Sequence, residues 1–189
     1  MKTSAFWHLA IATGFRLFSK SGLHIHLVPL MVWKGTDEPT AAVLVGLFAF
    51  SQVPIRLGAA WVADRWSMTR IPAFACLAGV SAIAVLLFGP QGSIWTCVAF
   101  VLLFALAESG NLVSWALIGD FYGRTNFATL RGALSFVHSP MSLPAPIFLG
   151  WVFDQTESYT LALLPVAACY AVACGLYLFL KRPRRAFVA

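Results

Sequence analysis

GLFAFSQVPIRLGAAWVADRWSMTR (residues 46–70) decides how this chain is read. Its first part is an apolar helix long enough to span a bilayer, yet it holds Arg56. Its end is charged, with Asp64 and Arg65 followed by Arg70, where the chain is expected to leave the membrane. Counting back from Asp64 at about 1.5 Å per residue puts Arg56 about 12 Å inside. That is near the middle of a hydrocarbon core about 30 Å thick. An arginine there costs roughly 2.5–3.5 kcal/mol on insertion scales, so it marks a functional position.

The composition around this stretch gives the class. Of 189 residues, 60% are hydrophobic and only 11% charged, against about 25% charged in an ordinary soluble domain. A soluble fold of this size has too little interior for so much apolar surface. The chain reads as an all-α, multi-pass membrane protein, with the cell (inner) membrane as its expected place. A hydropathy view predicts six spans, at about 6–33, 41–63, 71–89, 94–118, 129–153 and 159–180. Short connections make them one bundle, a single domain over 1–189. The opening residues show no signal-peptide cleavage pattern, so the first span is read as structure.

The charge of +6 is unevenly placed. If the spans alternate, Lys2, Arg65, Arg70, Arg124, Arg131, Lys181, Arg182, Arg184 and Arg185 fall on one side, and Lys34 alone on the other, with Asp37, Glu38, Asp154 and Glu157. By the positive-inside rule both termini are then cytoplasmic. The basic tail reads as a membrane-flanking anchor, and nucleic acid is not expected as a partner. Cys76, Cys97, Cys169 and Cys174 lie inside spans without metal or redox spacing, so they read as apolar fillers, and no metal or cofactor is expected.

Other polar residues sit at the depth of Arg56. The first span carries Arg16, Lys20 and His24 at four-residue spacing, a stripe that must face protein or water. Like charges one turn apart repel, which calls for an anion or carboxylate nearby. Arg16 lies about 15 Å and Lys20 about 21 Å from the inner end, so snorkelling suits the first better than the second. His24 and His26 point apart on a helix and have no accompanying ligands, which makes them structural or cavity-lining. In the second span, Pro54 beside Gln52 and Arg56 frees backbone groups, as where a helix lines a cavity. Asp64, at the unfavourable end of the helix dipole, calls for a cation on a neighbouring helix. The third span, free of charge and rich in Ala, Gly and Ser, is packing material. Glu108 in the fourth, about 15 Å from the inner end, is either paired with Arg16, Lys20 or Arg56 or carries a proton. His138 in the fifth is either a cavity residue or a hydrogen-bonded core histidine.

Several stretches resemble one family. AWVADRWSMTR (60–70) resembles the cytoplasmic-loop signature G-x-L-a-D-R-x-G-R-[RK] of the major facilitator superfamily, with Ala60 and Ser67 at the glycine positions. GDFYGR (119–124) and FATLRG (127–132) resemble the loop between the tenth and eleventh helices in its monocarboxylate and oxalate/formate-type branch. HSPMSLPAPIFLGWVFD (138–154) is similar to that branch's G-P-x-x-x-G-W-x-x-D ending, and Tyr159-Thr160 opens the last helix as it does there. FWHLAIA (6–12) looks like the start of the seventh helix and KRPRR (181–185) like the end of the twelfth. The resemblance implies the C-terminal six-helix half of a twelve-helix fold. It implies Arg56 as the cation that grips a substrate carboxylate, and Asp64 as part of a cytoplasmic latch. Arg65, Arg70, Asp120, Arg124 and Arg131 complete that gate. The lysine some members carry in the eleventh helix has no counterpart here, which argues against a dicarboxylate such as oxalate.

The residues alone point the same way. Arg16, Lys20, Arg56, Glu108 and His138 come from four spans and fall in one slab near the midplane, where transporters bind between bundles. Its surplus is positive, so an anion is the natural guest, with Glu108 a proton or salt-bridge switch and proton coupling left open. The expectation is a secondary transporter, symporter or antiporter, or its C-terminal half, for a small organic anion. Its partners would be the bilayer, the anion, and a missing N-terminal half or a second copy. A non-transporting truncated half or a subunit of a split transporter is the alternative. A six-helix intramembrane enzyme is the remote one, since the last span lacks a histidine and no Gly-x-Ser-Gly run occurs.

Overall fold

The structure, a computed structural model, describes residues 4–65, 69–122 and 127–180. Within them the chain is α-helical throughout: α1 (Ser4–Ile25), α2 (Leu27–Trp33), α3 (Glu38–Arg65), α4 (Arg70–Phe88), α5 (Ile94–Tyr122), α6 (Phe127–Ser142), α7 (Pro144–Thr156) and α8 (Thr160–Leu178). Among the described residues, five segments are long and apolar enough to cross a membrane: Glu38–Arg65, Arg70–Phe88, Ile94–Phe121, Phe127–Thr156 and Thr160–Leu178. Lys2, Arg124 and the basic tail lie outside the described residues, and with them part of the expected charge asymmetry.

The first predicted span, 6–33, is two helices divided at His26, whose φ of −90° and ψ of 17° leave the helical region. Pro29 is the local cause: its ring crowds the carbonyl of Ile25, four residues back, and it offers no N–H to bond there. The break is braced from both sides. The Nε2 of His26 donates to the Pro146 carbonyl at 3.0 Å, since that oxygen can only accept. Its Nδ1 therefore accepts the hydroxyl of Tyr159 at 2.9 Å. The fifth predicted span is divided in the same way between α6 and α7, where Pro144 and Pro146 remove two donors. Before α3, Asp37 caps the helix by accepting the backbone N–H of Thr40 at 3.1 Å. The Thr40 hydroxyl and amide together hold the Asp37 carboxyl below the usual carboxylate range.

Neighbouring helices run α3, α5, α4, α8, α1 and then α6 with α7, and α6 also touches α5. Beyond Arg70, α4 carries no charge and buries Ala73, Cys76, Gly79, Ala82, Ile83 and Leu86 among others, as its Ala- and Gly-rich sequence demands. In contrast α3 turns Val43, Phe50, Val53, Leu57 and Trp61 outward, which in a bilayer costs nothing because lipid chains are as apolar as the side chains. At the end of the first helical hairpin Gly35, at φ 94°, faces Gly92, whose N–H donates to the Lys34 carbonyl at 2.8 Å.

Gly79 sets the α4–α8 spacing. A Cβ there would lie 2.8 Å from the ring of Tyr170, which is itself buried. Gly79→Leu is expected to destabilise by about 1–3 kcal/mol through overpacking. Thermal unfolding in detergent checks this, and an unchanged midpoint would mean the two helices do not meet this closely.

Candidate functional site

Three of the polar groups named from the sequence, Arg16, Lys20 and Glu108, meet between α1 and α5. Lys20 on α1 forms an ion pair with Glu108 on α5; the lysine side chain is 25% exposed and the glutamate 2%. One turn away on α1, Arg16 donates from its terminal nitrogen to Asn111 Oδ1 at 3.0 Å. On α1 the two cations are four residues apart, and on α5 their partners are three apart in the opposite sense. Four-residue and three-residue spacings both place side chains on one helix face. The pairs are therefore two rungs of one ladder between antiparallel helices. Glu108 finds its partner among the three candidates because only Lys20 lies opposite it in this register.

Arg16 does not reach the interface. Depth along the helix suggested that it could snorkel to the interface, but it is 1% exposed, enclosed where α6 and α8 pack on α1. Beside it lies a chain of hydroxyls. Ser114 donates to the Gly110 carbonyl at 2.7 Å. It therefore accepts from Tyr177 at 3.2 Å, and Tyr177 accepts from Thr13 at 2.8 Å. Ser19 donates to the Val166 carbonyl at 2.9 Å, fastening α1 to α8 again.

Several buried polar atoms have no hydrogen-bond partner among the described residues: Arg16 Nε and Nη1, Glu108 Oε1, His138 Nδ1 and Arg56 Nε. Each such group costs about 1–3 kcal/mol, so this ladder is under-satisfied at both rungs. His138 donates from Nε2 to the Ala10 carbonyl at 3.1 Å, joining α6 to α1. Its ring lies 6.1 Å from that of Trp115, and Arg131 sits over the same indole at 4.9 Å.

Arg56 stands apart. It is half-buried on α3, which packs on α5, and it has neither an ion pair nor a hydrogen bond to the ladder among the described residues. The expected gate residues lie at helix ends. Asp64 and Arg65 are exposed at the end of α3, Arg70 at the start of α4 and Asp120 near the end of α5. Arg65 rests on Trp61 of its own helix at 3.9 Å. Asp64 has no ion pair among the described residues, and Arg124 lies outside them. No cluster of metal-ligating side chains occurs among the described residues.

Tyr177, Tyr170, Trp115 and the role of Asn111 were not read from the sequence. A signal existed for the tyrosines: they are seven residues apart on an apolar helix, hence on one face, and a buried phenol needs a partner.

Helices of this length and hydropathy, with a buried charged ladder inside, define a multi-pass membrane protein. The comparisons narrow the class. The chain is 24% identical over 177 residues to monocarboxylate transporter 12 of Xenopus laevis, covering 92% of this chain and 38% of that protein. It is 25% identical over 175 residues to human monocarboxylate transporter 7, covering 89% of this chain and 33% of the other. It is also 25% identical over 171 residues to the uncharacterized transporter YycB of Bacillus subtilis, covering 88% and 42%. No family model matches the chain. These relatives bear out the resemblance to the monocarboxylate branch of the major facilitator superfamily. They are transporters rather than enzymes, and the bacterial one supports the cell (inner) membrane as the location. The chain spans about a third of the length of the monocarboxylate transporters it matches.

Proposed function

We propose that this chain is a transporter, or the C-terminal half of one, for a small organic anion such as a monocarboxylate. It would work by alternating access around a site near the bilayer midplane. The observation that carries this reading is the charge balance of the interior. The spans carry three cations, Arg16, Lys20 and Arg56, against one carboxylate, Glu108, and Arg56 has no counter-charge among the described residues. A surplus of fixed cations at membrane depth favours an anionic guest. A guanidinium suits a carboxylate because it can give two parallel hydrogen bonds. Arg56 then binds the substrate, Lys20 lines the same pathway with Arg16 and His138 buried behind it, and Glu108 is the salt-bridge switch. Asp64, Arg65, Arg70, Asp120, Arg124 and Arg131 form the cytoplasmic gate of a six-helix bundle with both ends in the cytoplasm.

The length shared with the relatives favours a second feature: the pathway needs another wall, from an N-terminal half or a second copy. Light scattering in mild detergent distinguishes a homodimer from a chain awaiting its partner. The reading itself is tested in liposomes holding the functional assembly. Uptake of labelled L-lactate, competed by other monocarboxylates but not by neutral or cationic solutes, is the expected result. Indifference to carboxylates would end the proposal.

A further inference from the structure

We infer that Glu108 is an exchangeable carboxylate, passing from Lys20 to Arg16 when Lys20 is drawn to another anion. The inference rests on the reading of the chain as an anion carrier for the identity of that anion, but the exchange itself does not depend on it.

Three features of the ladder argue for it. First, the unsatisfied atoms are complementary. Among the described residues nothing bonds to Arg16 Nε and Nη1 or to Glu108 Oε1, so two donors stand open to one acceptor. A guanidinium edge and a carboxylate are the two halves of a bidentate pair, and here they are held one rung apart. Secondly, the present partner of Arg16 is easily given up. Asn111 is neutral and takes one bond from the guanidinium, so the enclosed arginine retains its full charge. Thirdly, the two cations differ in access. Lys20 is a quarter exposed, whereas Arg16 is 1% exposed. An incoming anion therefore meets Lys20, and the carboxylate it displaces has Arg16 to go to.

The backbone leaves room for the step. Unlike α1 with α8 or α5 with α4, helices α1 and α5 make little direct contact, and the ladder's long side chains bridge them. The exchange moves Glu108 by one rung and never leaves the carboxylate unpaired inside the protein. Lys20 then adds its charge to that of Arg56 on the guest, while the released Asn111 can follow either partner. Guest occupancy would in this way be written into the pairing between α1 and α5.

The test is a stability cycle on the chain in nanodiscs. Lys20→Met alone is expected to lower the thermal midpoint by less than about 3 °C, because Arg16 takes over Glu108. Asn111→Asp gives Arg16 a fixed carboxylate of its own. In that background Lys20→Met should cost more than about 8 °C, since Glu108 then has no spare cation. Arg16→Gln is a second background with the same expectation. A double variant that fails to fold while both single variants fold is the same result in stronger form. Equal losses with and without Asn111→Asp, or failure of Lys20→Met alone to fold, would overturn the exchange whatever the uptake assay gives. Strong non-additivity in a protein that carries no anion would instead leave the exchange standing and refute only the transport reading.

Discussion

Arg56→Gln is expected to lower uptake of a small carboxylate at least about 100-fold, without lowering the thermal midpoint. Two decades in rate correspond to about 2.7 kcal/mol, within the range of a charge-assisted bidentate contact to an anion. The second half of the expectation follows from isolation. Arg56 makes no ion pair among the described residues, and its Nε is buried without a partner. Its removal therefore breaks no ion pair or hydrogen bond among the described residues and relieves a buried, unbonded Nε, so the midpoint should hold or rise, as at sites where function opposes stability. Arg56→Lys keeps the charge but loses the planar fork, and should retain an intermediate rate with a raised KM. Initial rates in proteoliposomes, with midpoints measured on the same preparations, check all of this. Full activity in Arg56→Gln would remove the substrate-binding role, and a fall in both rate and midpoint would make Arg56 a structural residue instead.

The contrast between Arg56 and the ladder also marks how far the sequence could be read. Membrane character, all-α class and the packing role of α4 follow from hydropathy, and hydropathy is local. The slab of polar residues followed from helical rise alone, and three of its members, Arg16, Lys20 and Glu108, do converge. What rise cannot give is the rotation of each helix about its axis. Arg16 was the better candidate for snorkelling by depth, yet α6 and α8 close over it, and no count along one helix reveals that. The choice of Lys20 for Glu108 is likewise a matter of register between α1 and α5.

Prolines teach the same lesson. Pro54, Pro140 and Pro165 sit within continuous helices. Near Pro29 and at Pro144, by contrast, the helix divides. The difference lies in what the neighbours supply. At the first break His26 finds both Tyr159 and the Pro146 carbonyl, partners more than a hundred residues away that sequence spacing does not expose.

Glu108→Leu should be the most damaging single change in the interior, at about 3–5 kcal/mol, the usual result of stripping one partner from a buried pair. The carboxylate is 2% exposed and forms an ion pair with Lys20. Without it Lys20 and Arg16, four residues apart on α1, face each other as like charges with only Asn111 between them and an apolar interior. Leucine nearly fills the volume, so a cavity contributes little and the loss reports charge. The asymmetry of buried pairs then predicts the repair: Lys20→Met added to Glu108→Leu should recover a large part of the stability, because replacing both partners by apolar groups is often close to neutral. Arg16 would still lack a carboxylate, so recovery should be incomplete. Thermal midpoints of the single and double variants settle the point. A double variant no more stable than Glu108→Leu would mean that Lys20 reaches solvent when unpaired, and that the bond to Glu108 fixes the geometry of α1 against α5 without neutralising a buried charge.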